Sequence, residues 1–281
     1  MSGPQRVTRA LTGVDLDHAD AGRVVDYYLG GTSNWAIDRI LGDQLSDVAP
    51  SIKAGARAGR EFFERALRYC LRTGYTQFLD LGSGVSTVPL VHEIANEMDI
   101  ESRCVYVDRD PVAVAHAQVV LEEREEPERY DVVHEDLRNV TEVWNAAMSS
   151  GVLDSDRPIA LLMVSILHFL APDDEVSRVI RTYRRVLPAG SSLVMSHCTV
   201  DGAPAREREQ FHKGMEIFAH SGNALYTRSP EDLRSYFGDF ELVEPGVVWA
   251  PEWRPEEGPS APVLARRPEA SCLLGGIGIK P

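Results

Sequence analysis

The stretch FLDLGSG, residues 78–84, decides the fold predicted for this chain. An apolar run of the kind that forms a buried strand ends at Asp80, and Gly82, Ser83 and Gly84 follow it. A strand that breaks into a glycine loop before a helix is typical of α/β proteins whose ligands lie beyond the carboxyl ends of parallel strands. The ligand must also tolerate the carboxylate of Asp80.

Short apolar segments alternate with longer amphipathic segments over residues 75 to 198. The amphipathic segments carry apolar residues at helical spacing, whereas the apolar segments are short enough for strands. Five strands separated by helices indicate an α/β fold with a doubly wound, mostly parallel sheet. The predicted strands are 75–81, 103–108, 130–135, 158–165 and 191–198.

The two ends of the chain follow a different pattern. Residues 1–73 are helical in pattern and are predicted to form an N-terminal cap on a core of residues 74–281. A helical insert is predicted at about 201–228, before two strands in FELVEPGVVWAPEW and ASCLLGGIGIKP. Because no helix separates these strands, we expect them to pair antiparallel at one edge of the sheet.

Composition restricts the class of partner. The formal net charge of −14 disfavours nucleic acid, which is bound by clustered Lys and Arg, and favours a small molecule or a protein. The longest apolar stretch, 159–171, is too short to span a bilayer and contains His168, so no membrane association is expected. The four scattered cysteines, without CxxC, indicate a reduced, cytoplasmic protein without a metal site.

The glycine loop distinguishes between two cofactor classes. The dinucleotide pattern GxGxxG requires a third glycine, but the sequence from Gly82 continues as GSGVST. Asp80 would also repel a pyrophosphate. S-adenosylmethionine (SAM) carries an ammonium and a sulfonium but no phosphate, so it suits this loop better than a dinucleotide does.

Acidic residues lie at or just beyond the carboxyl ends of three consecutive predicted strands: Asp80, Asp108 and Asp136. We expect Asp108 to accept both ribose hydroxyls and Asp136 to accept an adenine amino group. Each has a structural alternative. Asp80 could hold the glycine turn, and Asp108 and Asp136 could cap the helices that follow them, although Asp110, directly before a proline, is the better cap.

These segments resemble the successive motifs of class I SAM-dependent methyltransferases. The resemblance rests on FLDLGSG, VYVDRDP, HEDL and LHFLAPDDEVSRVIRTYRRVLPAGSSLVMSH, and covers residues 75 to 200 and the final two strands. It implies a seven-stranded sheet, SAM as cofactor and S-adenosylhomocysteine (SAH) as product. It also implies cofactor contacts from Asp80, Gly82, Ser83, Gly84, Asp108, Arg109, Asp136, Leu137 and Ser165.

A narrower resemblance covers nearly the whole chain. RVVDYYLGGTSNWAIDR and VEPGVVWAPEWRPE are similar to an actinobacterial family of SAM-dependent methyltransferases whose substrates are not settled. Thr32 departs from the family, which usually has a basic residue there. The resemblance adds Tyr27 and Asn34 as cofactor contacts that close over the methionine end, unless the aromatic residues of this segment pack within the cap.

Methyl transfer is an in-line displacement in which positioning supplies much of the rate, and a base is needed only if the nucleophile must lose a proton. His168, just after the fourth strand, is the candidate base or substrate contact; the alternative is a buried structural histidine. VSILHF lacks the Asn/Asp-Pro-Pro-aromatic motif used on nucleic-acid amino groups. Arg228 is predicted to be a surface residue, or else a contact for an anionic acceptor.

The sequence therefore predicts SAM-dependent methyl transfer to an unidentified acceptor, in the first instance a small molecule. A SAM- or SAH-binding protein without turnover and an NAD-dependent oxidoreductase remain as alternatives. The sequence leaves open whether the protein forms a homodimer.

Overall fold

A computed structural model of the chain describes residues 17–84, 90–124, 126–171 and 174–281. The helices are Ala21–Leu29 (α1), Ala36–Val48 (α2), Ile52–Arg72 (α3), Val91–Glu97 (α4), Pro111–Glu122 (α5), Val140–Ser149 (α6), Asp174–Val186 (α7), Ala205–His220 (α8) and Pro230–Phe237 (α9). The strands are Gln77–Leu81 (β1), Arg103–Asp108 (β2), Tyr130–His134 (β3), Ala160–Met163 (β4), Ser192–Cys198 (β5), Glu241–Leu242 (β6), Val248–Trp249 (β7) and Leu273–Ile279 (β8).

The strands form one sheet in the order β3-β2-β1-β4-β5-β8-β6, with β7 also paired to β8. Strands β1 to β5 are parallel, and β8 lies antiparallel to β5. This confirms the predicted doubly wound α/β fold. The first of the two C-terminal strands differs in detail, because it is divided into β6 and β7 around a turn at Gly246, whose φ is 84°. Because β6 and β7 pair with different parts of β8, the two together occupy the position of one strand in the sheet.

The central strands are apolar because helices cover both faces of the sheet. Every residue of β1 is buried, and its side chains alternate between two cores. Leu79 and Leu81 join the core beneath α6 and α7, while Phe78 joins the core beneath α3 and α4. Asp80 shares the side of Phe78, since side chains two apart in a strand point to the same face. The carboxylate therefore faces α3.

Local signals fix where several helices begin. The Asp110 side chain accepts a hydrogen bond from Val112 N, with Pro111 at the first position of α5, so Asp110 is the cap that the sequence predicts. Ser229 caps α9 in the same way, by accepting from Asp232 N. The helix predicted over 87–98 is present as α4, while residues 85–89 lie outside the described ranges.

A buried ion pair joins the N-terminal helices to the core. Arg23 Nε donates to Asp38 Oδ2 at 2.9 Å, and both side chains are almost inaccessible to solvent. Asp38 also accepts from the backbone N–H groups of Asp20 and Trp35. A guanidinium nitrogen of Arg23 lies 3.7 Å from Asp110 Oδ2 at the start of α5. This network holds α1 over the carboxyl ends of the strands.

Candidate active site

A cavity of about 440 Å³ lies at the carboxyl edge of β1, β2 and β4, within the size range of small-ligand sites. Helices α1 and α3 form one side. The other side, here called the outer wall, consists of the loop 165–171 after β4 and the segment 222–226 after α8. The cavity therefore lies at the edge where ligands bind in doubly wound sheets.

Most of the predicted cofactor contacts meet in this cavity. They are Asp80, Gly82, Ser83, Gly84, Asp108, Arg109, Asp136, Leu137 and Ser165. They come together because β1, β2, β3 and β4 are parallel, so that their carboxyl ends share one edge. Tyr27, Asn34 and His168 are not among the lining residues.

The glycine loop requires glycine for steric and conformational reasons. Gly82 and Gly84 have φ values of 75° and 69°, in the left-handed region that favours glycine. A Cβ atom at Gly82 would lie 2.6 Å from Ile166 Cγ1. Gly82 N donates to Val107 O at 2.8 Å, which ties the loop to β2. The backbone thus stays close to the strand ends and leaves the cavity open.

Asp80 is a buried carboxylate that faces the cavity. Burial raises its pKa to about 7, an effect that Arg60 opposes and Asp108 reinforces. Within the described part of the chain, no hydrogen-bond donor or salt-bridge partner is found for its carboxylate. Asp80 therefore does not hold the glycine turn through backbone N–H groups of the described residues, which was the structural alternative. A buried anion of this kind suits a cationic ligand group.

Asp108 holds two backbone N–H groups. Its Oδ2 accepts from Gly84 N and its Oδ1 from Asp110 N, both at 2.8 Å. Burial raises its pKa despite these bonds. Each carboxylate oxygen can accept more than one hydrogen bond, so both retain capacity for a ligand hydroxyl. Asp108 orders the site and still presents lone pairs to the cavity.

Asp136 is engaged by arginine. Arg138 donates to both of its carboxylate oxygens, at 2.9 and 2.6 Å, and Arg109 lies 4.0 Å away. Burial works to raise the pKa of Asp136, but the bonds to Arg138 and the charge of Arg109 lower it overall. Asn139 rather than Asp136 precedes α6 as its first cap position. The Asp136 carboxylate is therefore ionised at the adenine end predicted for the cavity.

His168 belongs to the loop 165–171 of the outer wall, but its side chain does not line the cavity. Its ring packs 4.5 Å from that of Phe169 and 5.8 Å from that of His197, and it is only 6% exposed. Burial, aided by the charge of Arg228, holds its pKa well below the usual range, so the ring is neutral. Its Nδ1 has no hydrogen-bond partner among the described residues. This placement gives no geometric support to a role as the base.

Tyr27 and Asn34 lie in the cap rather than in the cavity. The Tyr27 hydroxyl donates to Asp43 Oδ1 at 2.8 Å, and Lys53 Nζ lies 5.2 Å from the Tyr27 ring centroid. Asn34 Nδ2 donates to Asp26 Oδ2 at 2.8 Å. Asp26 itself lines the cavity, so Asn34 reaches the site only through that carboxylate.

Several lining residues were not singled out from the sequence. Arg60 and Phe63 on α3, Phe169 on the loop after β4, and Asn223 and Tyr226 after α8 all line the cavity. The Arg60 guanidinium carbon lies 4.5 Å from the Phe63 ring centroid. A signal existed for α3, because Ala56, Gly59, Arg60 and Phe63 share one helical face. Nothing local in the sequence distinguishes Asn223 or Tyr226.

Arg228 corrects a further expectation. It is not a surface residue, because it is only 6% exposed, and its guanidinium donates to His197 Nε2 at 2.7 Å. His197 Nδ1 in turn bonds Cys198 O at 2.8 Å. Trp253 is fully buried in the core against Phe62 and Tyr69. His92, in α4, is also buried, and its Nδ1 lies 3.0 Å from the Tyr106 hydroxyl.

This fold and this cavity define a class I SAM-dependent methyltransferase. The model of the S-adenosyl methyltransferase family matches residues 8–281, and the chain belongs to that family. This membership decides between SAM and NAD in favour of SAM, which is the cofactor of the enzyme. The acidic residue facing the cavity at Asp80 and the absence of a third glycine agree with that choice.

Two solved structures are similar over nearly their whole lengths. One is a Thermobifida fusca YX protein assigned to the methyltransferases, with 35% identity, a TM-score of 0.83, and coverage of 97% of this chain and 99% of that one. The other is a DUF574 family protein from Streptomyces avermitilis MA-4680, with 32% identity, a TM-score of 0.85, and coverage of 94% and 98%. Among curated proteins, no match to the chain is found.

Over residues 17–84, 90–124, 126–171 and 174–281, no helix is both long enough and apolar enough to cross a membrane. Over the same ranges, no group of three or more His, Cys, Asp or Glu side chains is arranged to hold a metal ion.

Proposed function

We propose that the enzyme methylates a small molecule that binds in the same cavity as the cofactor, against the outer wall. The observation that carries this is the position of α1 and the segment 222–226 across the carboxyl edge of the sheet. Helix α1 and the segment 222–226 contribute side chains to parts of the cavity that the strand ends do not line. A net charge of −14 argues against a nucleic-acid acceptor.

The methionine end of the cofactor would lie between Asp80 and Arg60. Both side chains line the cavity, yet no salt bridge within 4.0 Å joins these two described residues. Burial lowers the pKa of Arg60, and Glu64 and Asp80 oppose that shift. Arg60 Nε lies 3.9 Å from Glu64 Oε1 on the same helix. Two opposite charges that face one space with no salt bridge between them suit a zwitterion, whose ammonium would meet Asp80 and whose carboxylate would meet Arg60.

The adenosine end would lie along Asp108 and Asp136. Asp108 would accept the ribose hydroxyls with the lone pairs that Gly84 and Asp110 leave unused. Asp136, ionised and fixed by Arg138, would accept the adenine amino group, and Leu137 would contact the ring. Gly82, Ser83, Arg109 and Ser165 would complete the cofactor contacts, as the sequence predicts.

The acceptor would lie between the two phenylalanines of the cavity, Phe63 and Phe169, with Tyr226 and Asn223 as polar contacts. SAM supplies the electrophilic methyl group. The chain's own contribution is to hold the acceptor in line with that methyl and to exclude water. A base role for His168 remains a prediction, as do direct cofactor contacts by Tyr27 and Asn34.

Location and organisation are also proposals. The four cysteines are free thiols, and none is fully exposed, which suits a reducing cytoplasm. An actinobacterial source would agree with the resemblance in the N-terminal segment. Residues 1–73 would act as a cap that supplies α1 and α3 to the cavity, and residues 201–228 as the insert that supplies part of the outer wall.

The test is calorimetric titration with SAM, SAH and NAD, followed by a turnover screen. Micromolar binding of SAM and SAH, lost in Asp108→Ala, is expected, together with SAH release in the presence of some members of a library of small phenols, amines and carboxylic acids. A screen in which only protein or nucleic-acid acceptors are methylated would contradict the small-molecule proposal. Binding without release for every class of acceptor would favour the protein without turnover.

A further inference from the structure

The Arg228 guanidinium does not line the cavity, but it is hydrogen bonded to the outer wall. It donates to Leu167 O at 3.3 Å, Leu170 O at 2.9 Å and Ala171 O at 3.0 Å, all in the loop 165–171. It also donates to His197 Nε2 at 2.7 Å at the end of β5. The Arg228 side chain thus joins the loop after β4 to β5.

The backbone around Arg228 ties the second part of the outer wall to the first. Tyr226 N donates to His168 O at 2.8 Å, and Arg228 N donates to Cys198 O at 3.2 Å. Tyr226 and Phe169, on the two segments that the first of these bonds joins, both line the cavity. The loop 165–171 and the segment 222–226 are therefore fixed to each other and to β5 through Arg228 and its neighbours.

The cost of burying this charge argues against a role in folding alone. Arg228 is 6% exposed, and within the described part of the chain no carboxylate lies within 4.0 Å of it. Carbonyl dipoles and a neutral imidazole balance the cation instead. Well-packed apolar residues usually stabilise a core as well as a buried charge does. The distinctive property of arginine here is the planar fork, which donates to several carbonyls in fixed directions.

The state of His197 agrees with this arrangement. Because Arg228 donates to Nε2, the proton of the neutral ring must lie on Nδ1, where it is donated to Cys198 O at 2.8 Å. Burial lowers the pKa of His197 to about 4, and the neighbouring charge of Arg228 acts in the same direction. The Nε2 lone pair of His197, which accepts the shortest hydrogen bond from the Arg228 side chain, is therefore available throughout the neutral pH range.

We propose that Arg228 is a positioning residue for the methyl acceptor: its fork sets the shape of the outer wall and so the placement of Phe169 and Tyr226 against the acceptor. This inference rests on the proposed function, in which the outer wall receives the acceptor. Arg228 itself does not line the cavity and touches neither ligand.

The variants are Arg228→Lys, which keeps the charge without the fork, and Arg228→Met, which keeps the stem without the charge. The matched control is Arg65→Met. Arg65 is also buried and also donates to backbone carbonyls, Trp253 O at 2.9 Å and Ala250 O at 2.6 Å, but it does not line the cavity or touch the outer wall. It reports what the loss of a buried arginine does to stability alone.

The first measurement is amide hydrogen exchange of the full chain with bound SAH, together with SAH affinity. Both Arg228 variants should raise exchange at least about tenfold in residues 165–171 and 222–228, since each loses charge-assisted hydrogen bonds. The ¹⁵N shift of His197 Nε2 should change as well. Arg65→Met should leave these segments and that shift as in the wild type. Unchanged exchange in the outer wall, or an increase spread evenly over the chain, would overturn the inference.

The second measurement uses any acceptor found in the turnover screen. Arg228→Lys should lower kcat/KM for that acceptor at least about tenfold, through a misplaced acceptor, while the KM for SAM changes less. Equal losses for both substrates, or equal losses in Arg65→Met, would overturn the inference. Failure of the wild-type protein to bind SAH would instead contradict the proposed cofactor site, so the two failures are distinguishable.

Discussion

The Asp108 carboxylate accepts a hydrogen bond of 2.8 Å from the backbone N–H of Gly84, which joins the end of β2 to the loop after β1. The same carboxylate accepts from Asp110 N. One side chain therefore shapes two loops that line the cavity. Its removal should disturb the site in two ways, by loss of a ligand contact and by release of the glycine loop.

We expect Asp108→Ala to weaken SAH binding at least about a hundredfold, because a ligand contact and two backbone bonds are lost together. Asp108→Asn keeps one acceptor and should give an intermediate loss. Calorimetry measures both, with Glu128→Gln, an exposed acid before β3, as the control. Wild-type affinity in Asp108→Ala would contradict the assignment.

Arg60→Met should discriminate between ligands with and without the amino-acid end. The affinity for SAH should fall about tenfold or more, as expected for loss of a charge-assisted hydrogen bond, whereas that for 5′-methylthioadenosine should stay the same. Arg57→Met, one turn earlier and exposed on the same helix, is the matched control. Equal losses for the two ligands would show that Arg60 does not meet the carboxylate.

The stability of the ligand-free protein should depend on Asp80. Its folded pKa is raised to about 7 from a usual value of 3.8, so between these values the folded state binds more protons than the unfolded state. The stability of the wild type relative to Asp80→Asn should therefore fall as pH rises from about 4 to about 7. Asp80→Asn should remove this contribution, making the variant more stable than wild type at pH 8 by roughly 4 kcal/mol.

Urea unfolding at pH 5, 6, 7 and 8 measures this effect. SAH binding should show the opposite trend in the wild type, tightening with pH as Asp80 ionises beside Arg60, and the trend should be absent in Asp80→Asn. Parallel stability curves for the two proteins would contradict a raised pKa at this site.

Gly82→Ala should destabilise the protein by about 2 kcal/mol or more, because the added Cβ combines a left-handed φ with a 2.6 Å approach to Ile166. Gly74→Ala separates the two causes, since Gly74 has φ 99° but no atom within 4 Å of an added Cβ. It should cost about 1 kcal/mol. Thermal or urea unfolding measures the loss of stability in the two variants. Equal losses in Gly82→Ala and Gly74→Ala would mean that the left-handed φ alone accounts for the effect.

Breaking the buried pair of Arg23 and Asp38 should be costly. Asp38→Ala leaves a guanidinium and two backbone N–H groups without their acceptor, and we expect a loss of about 3–5 kcal/mol. The exposed pair of Lys213 and Glu209, 2.7 Å apart, provides the comparison, and Glu209→Ala should cost far less. Similar losses in both would mean that Asp38 does not organise the cap.

The parts of the structure that could be predicted from sequence are those with local signals. All five strands of the alternating region are present, with bounds that differ by at most two residues, since a strand buried on both faces reads as a continuous apolar run. The acids at or just beyond the ends of β1, β2 and β3 meet in the cavity because parallel strands end at one edge. Asp110 and Ser229 were identifiable as caps from their following prolines.

The remainder depends on tertiary contacts. Arg228 resembles any surface arginine in sequence, and only the folded chain shows the carbonyls of Leu170 and Ala171 around it. Tyr27 and Asn34 lie in a motif that suggests ligand contact, yet their partners are Asp43 and Asp26 within the cap. The division between β6 and β7 depends on the turn at Gly246 and on the pairing of each strand with β8. No periodic pattern in the sequence predicts it.

Helix α3 has a consequence for how ligands enter and leave. Two adjacent residues of this helix pack in different places. Phe62 is fully buried in the core against Trp253, whereas Phe63 lines the cavity. The α3 side of the cavity therefore cannot swing outward without pulling Phe62 from the core, which would cost several kcal/mol. Movement of α3 is therefore not expected to open the cavity for substrate entry or product release.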